Sequence, residues 1–227
     1  MDMGTAVYHV NRVFRKPSLS ASIREDVWQA AEECRLENFR PESSNHRPVV
    51  SARLVHDGSW LYGLFSVQDR YVRSVQTAYG SAVCTDSCVE FFVKPKADRG
   101  YFNFEFNAGG TLHCSYITDP RRSPAGGFRA FTLLPEEQGR MVKVRSTLPR
   151  VVEPEIQSPI EWMLEFHIPI KLLEKHAGPV GDPGGQAWRA NFYKCGDMTS
   201  HPHWASWSNV DELNFHLPRC FGVLIFM

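Results

Sequence analysis

The chain has 227 residues, 43% of them hydrophobic and 22% charged, with 25 acidic side chains balancing 25 basic ones. This is enough apolar material for a sizeable core without disulfide staples, and the length suits one large all-β domain. A net charge of zero argues against sequence-independent nucleic-acid binding, and no apolar run approaches the ~18 residues of a membrane helix, so neither nucleic acid nor membrane is an expected partner.

Residues 1–20 contain no apolar run of signal-peptide length and read as an N-terminal extension. As written the chain reads as cytoplasmic, or as extracellular or periplasmic if a leader has been removed. A short helix is expected next, with Ser22 as its cap, Glu25 three residues on, and Trp28, Ala30 and Ala31 behind them.

From Val49 the period of apolar residues changes to two. Residues 51–55 and 60–67 read as a hairpin around His56-Asp57-Gly58-Ser59, and residues 88–93 and 101–107 as two more strands. Further strands are expected at 111–117, 128–133, 141–147 and 161–168, then a helical turn or two at 170–176 and closing strands at 188–194 and 221–226. Residues 149–159 read as a surface excursion, and the stretch before the last strand as a long aromatic loop. The expected architecture is a single antiparallel β-sandwich, jelly-roll-like, with one or two short peripheral helices.

Alternation in two strands is informative. Phe102, Phe104 and Phe106 share one face, leaving Asn103, Glu105 and Asn107 on the other; Val89, Phe91 and Val93 likewise oppose Cys88, Glu90 and Phe92. If the strands pair, Glu90 and Glu105 share a polar face with two amides, an acceptor and donor set suited to vicinal hydroxyls. The same alternation fits a merely solvated sheet face, and a carboxylate pair also fits glycoside hydrolysis.

The segment from Asn191 to Pro218 concentrates aromatic residues, among them Tyr193, Trp204, Trp207 and Phe215. Such rings pack on the C–H face of a sugar or close one end of a core. Six cysteines (Cys34, Cys84, Cys88, Cys114, Cys195, Cys220) are too scattered for a disulfide framework and read as reduced, mostly buried thiols. Cys195, His201, His203, His216 and Cys220 offer metal ligands, but none falls in a zinc-motif spacing, so no metal or other cofactor is expected.

Together the segments 61–69, 86–92 and 191–197, the Ser206-Trp207-Ser208 triplet and Phe221-Gly222-Val223-Leu224 resemble family 9 carbohydrate-binding modules from Trp28 onward, especially single-domain bacterial relatives. The resemblance implies non-catalytic binding of a plant-type polysaccharide or oligosaccharide, linked to carbohydrate catabolism. It further implies a site of Glu90, Glu105, Asn107, Tyr193, Trp207 and Phe215. The family's second stacking aromatic has no counterpart at Val83-Cys84-Thr85, where Tyr79 is the stand-in, and its calcium-linked N-terminal segment is not recognisable. Two alternatives stand beside this reading. One is a glycoside hydrolase, xylanase-related, using Glu90 and Glu105; the other is a DOMON-like interaction sandwich with no sugar site.

Overall fold

The computed structural model describes residues 5–124 and 126–227. In chain order the strands begin with β1 (Val7–Arg12), β2 (Cys34–Arg35), β3 (Asn38–Phe39), β4 (Val49–His56), β5 (Trp60–Asp69), β6 (Val72–Ser74), β7 (Cys88–Lys94) and β8 (Tyr101–Asn107). They continue with β9 (Leu112–Arg122), β10 (Phe128–Leu133), β11 (Lys143–Ser146), β12 (Val152–Ile156), β13 (Ile160–Pro169), β14 (Ala187–Cys195), β15 (Trp204–Ser206) and β16 (Gly222–Phe226). Three short helices, α1 (Asp26–Gln29), α2 (Glu136–Gly139) and α3 (Ile170–Ala177), decorate the edges.

The strands form two layers. One runs β10-β9-β8-β7-β14-β16, with β15 and then β3 continuing beside the far end of β14. The other runs β4-β5-β13-β11, with β2 on the free side of β4. Pairing within both is antiparallel. The exception is β1, whose residues Val7 to Val10 lie parallel to β16 while Asn11 and Arg12 lie parallel to β4. One strand therefore stitches the layers together, and the part of the expected N-terminal extension that forms it is an integral element.

Alternation explains the core. Phe91, Phe104, Phe106, Phe166 and Phe192 all point between the layers, and their rings stack at centroid separations of 5.0 to 6.5 Å. Gly63 lets this happen: a Cβ there would lie 2.1 Å from the Phe166 ring. Lys194 crosses from β14 to the second layer, its ammonium 3.4 Å from Asp69 at the end of β5, with both side chains fully buried. Asp69 also accepts from His46 at 2.8 Å, the Arg70 amide at 2.8 Å and the Trp162 indole at 3.2 Å. Burial alone would raise this carboxyl, but Lys194 and His46 hold it well below its ordinary value.

Three local expectations are corrected. The first helix spans Asp26 to Gln29 only, and Ser22 is not its cap. Glu25 precedes the helix instead, its carboxylate accepting from the Ser18 and Ser20 hydroxyls. The excursion at 149–159 contains β12, which pairs with β6 as a separate two-stranded sheet. The aromatic loop contains β15, which joins β14 to β3.

Candidate functional site

The outer face of the first layer carries polar residues in register. Tyr193, Glu90, Glu105 and His113 form one row across β14, β7, β8 and β9. Cys195, Cys88 and Asn107 form the row on one side, and Asn191, Phe92, Asn103 and Ser115 the row on the other. Directly opposed residues sit about 5 Å apart at Cβ, so Glu90 and Glu105 are neighbours by construction.

Three segments build walls around these rows. The 3-10 turn Val83–Thr85 brings Cys84, whose carbonyl accepts from the Asp197 amide at 3.0 Å. β15 places Trp204 opposite Cys195, and the indole N–H donates to Asp197 at 2.8 Å. The loop from Ser208 to Phe221 is held down by residues of the sheet's outer face. Asn191 exchanges two hydrogen bonds with Ser208, and the Tyr193 hydroxyl donates to the Phe215 carbonyl at 3.0 Å. Tyr101 bonds the His216 ring at 2.9 Å. His216 is depressed to about 3, chiefly by burial and then by Arg122, so the ring that meets Tyr101 is neutral.

The result is a recess of about 290 Å³ lined by Glu90, Glu105, Asp197, Trp204, Phe215 and Arg122, with Cys84, Cys195 and the 213–216 loop around them. All three carboxyls are pushed above their ordinary values, with burial as the leading cause. Glu105 adds to the effect on Glu90. His113 and a 2.6 Å hydrogen bond from Asn103 partly oppose it at Glu105. The Cys195 thiol reaches Glu90 at 3.1 Å.

Of the six residues expected in the site, the structure brings together Glu90, Glu105 and Phe215, with Tyr193 directly beneath Phe215. Asn107 and Trp207 do not join them. The Asn107 amide donates to the Gln76 carbonyl at 2.8 Å and Asp86 at 2.9 Å and accepts from the Thr111 amide, so it clamps a turn. Trp207 packs edge-on against Tyr8 and Phe192 at the margin of the core and borders a different cleft with Asn38 and Phe221. Tyr79 is not the missing aromatic either: its hydroxyl donates to the Leu134 carbonyl and its ring covers Gly139.

The sequence reading missed Asp197, Arg122 and the role of Trp204. The potential metal ligands are also regrouped. Cys195, His201, His203, His216 and Cys220 do not converge, whereas Cys88, Glu90 and Cys195 do, and so do His46, Asp69 and His203.

An antiparallel sandwich whose outer face gathers carboxyls and two aromatic side chains in one recess has the form of a ligand-binding module. The chain belongs to carbohydrate-binding family 9, whose profile matches residues 26–226. A candidate carbohydrate-binding protein from Bacteroides uniformis is similar at 30% identity and TM-score 0.86, covering 98% of this chain and 100% of that one. A family 9 module from Caldicellulosiruptor kristjanssonii, in complex with glucose, shares the fold at TM-score 0.63 and 14% identity, over 98% of this chain and 96% of that one. The cellotriose complex of a family 9 module from the same organism gives TM-score 0.61 and 13% identity, over 97% and 93%. No curated protein matches the chain.

Proposed function

We propose that the chain binds carbohydrate without transforming it, and that the recess holds a terminal pyranose of a β-linked plant-type glucan or related oligosaccharide. Trp204 and Phe215 supply the faces for the ring's C–H groups. Glu90, Glu105 and Asp197 accept from hydroxyls, and Arg122 donates to them. The observation that carries this reading is the convergence of two buried carboxyls, Glu90 and Glu105, with Asp197 and two aromatic side chains in one recess.

Its volume of about 290 Å³ lies at the lower end of small-ligand sites, room for a ring or two rather than for a groove along a chain. The glucose and cellotriose bound by family 9 relatives are in keeping with that size. Glu90 and Glu105 stand side by side on neighbouring strands of one face. Hydrolysis needs two carboxyls flanking the scissile bond with one of them ionised, whereas burial here raises both together.

Calorimetric titration with glucose and with cello-, xylo- and manno-oligosaccharides tests the proposal. The expected result is saturable one-to-one binding of at least one series, lost in Glu105→Ala. Absence of heat at millimolar ligand, or turnover of a chromogenic glycoside that disappears in Glu90→Gln, overturns it.

A further inference from the structure

We propose that the recess floor is also a site for one thiophilic divalent cation of the zinc or cadmium type, held by Cys88, Cys195 and Glu90 with its fourth position facing the recess. Cys88 and Cys195 are register partners on β7 and β14, so their thiols stand side by side on one face of the sheet. The ligand atoms of Cys88, Glu90 and Cys195 all lie within 4.8 Å of one another, and the Cys195 sulfur is 3.1 Å from the Glu90 carboxyl. A tetrahedral ion with metal–sulfur bonds of ~2.3 Å spaces its sulfurs by roughly 3.8 Å, so modest side-chain adjustment completes the set. Cys84 and Asp197 line the adjoining wall.

The other convergent group shows what distinguishes this one. His46, Asp69 and His203 also approach within 4.8 Å, but Lys194 already places its ammonium 2.7 Å from His203 and 3.4 Å from Asp69. The chain supplies that cluster with its own cation. Among the described residues Glu90 has no ion-pair partner, and its contact is a thiol that can exchange its proton for a metal.

The binding step is a proton exchange. Two S–H bonds break, two metal–sulfur bonds form, and two protons pass to solvent, with a third from Glu90 when that carboxyl is protonated. Affinity therefore rises with pH. Because the ion recruits Glu90 and faces the recess, ion and sugar compete; only this last consequence rests on the saccharide reading.

The test is titration of the reduced protein with Co²⁺ under anaerobic conditions, followed by displacement with Zn²⁺. The expected result is a sulfur-to-cobalt charge-transfer band with tetrahedral d–d bands, saturating at one equivalent. The signal disappears in Cys88→Ser and Cys195→Ser and persists in Cys34→Ser, Cys220→Ser and His203→Ala. No charge-transfer band in excess Co²⁺, or a band that survives unchanged in Cys88→Ser or in Cys195→Ser, overturns the proposal. Should either serine variant fail to fold, Glu90→Gln decides. It keeps the band and weakens Zn²⁺ binding by at least ~tenfold if the proposal holds, and matches the parent if it does not. Sugar calorimetry in the presence of EDTA reports on the saccharide reading separately.

Discussion

Phe215 lies flat on Tyr193, ring centroids 4.1 Å apart and planes 11° from parallel, while the Tyr193 hydroxyl holds the Phe215 carbonyl. A strand residue thus supports both the ring and the backbone of a loop residue. The loop aromatic is set in place before any ligand arrives, which removes part of the ordering penalty of binding.

This support defines the first prediction. Phe215→Ala weakens saccharide binding by on the order of 1.5 kcal/mol, about tenfold, while thermal stability changes little. Tyr193→Phe keeps the stack but loses the hydroxyl bond, and weakens binding by a smaller factor. Trp207→Phe, remote from the recess, leaves affinity unchanged. Calorimetry on the three variants decides whether the recess or the Trp207 cleft holds the sugar.

The second prediction concerns pH. The Glu90 and Glu105 carboxyls are raised above their ordinary value of 4.5, burial first and mutual repulsion second for Glu90. Folding therefore favours their neutral forms. That contribution is complete below 4.5 and fades as pH climbs through the raised folded values. Asp69 behaves oppositely: its depressed carboxyl contributes above its ordinary 3.8 and that contribution fades as pH falls from there. The urea midpoint is expected to be higher near about pH 5 than near about pH 8, and Glu90→Gln flattens the alkaline limb.

The third prediction addresses the pair that joins the layers. Lys194→Met leaves the Asp69 charge buried without its cation and destabilises the fold by about 3–5 kcal/mol. Adding Asp69→Asn removes the stranded charge, so the double variant is more stable than Lys194→Met alone. Chemical unfolding of the single and double variants measures the coupling.

The fourth prediction tests the core. A methyl at position 63 would overlap the Phe166 ring, which itself stacks on Phe91 and Phe106. Gly63→Ala is expected to cost about 1–3 kcal/mol, read as a lowered melting temperature with sugar affinity retained.

The strands β8 and β10 occupy the ranges that alternation assigns them, and the polar row Glu90–Glu105 follows from period two once the strands pair. What alternation could not reach came from short or split elements. β1 has only six residues and shares its hydrogen bonds between two partners, so no single neighbour imposes a long pattern on it. Trp204 and Trp207 are indistinguishable by composition. Only the three-residue ladder of β15 against β14 puts Trp204 beside Cys195, and Trp207, beyond the strand's end, turns toward Tyr8. Asp197 was hidden in a turn whose position depends on backbone bonds to Cys84 and Thr85.

The parallel seam between the first and last strands has a consequence for engineering. Val10 lies beside Phe226 and Val7 beside Val223, so both strands travel the same way and their outer ends do not meet. A circular permutant that joins Phe226 directly to Val7 cannot use a tight turn: its linker must first run roughly 10 Å back along the seam. A flexible joint of several residues would suffice. New termini would then be best opened at the exposed residues 97–99 between β7 and β8, a turn that takes no part in the stitch that keeps the two layers in step.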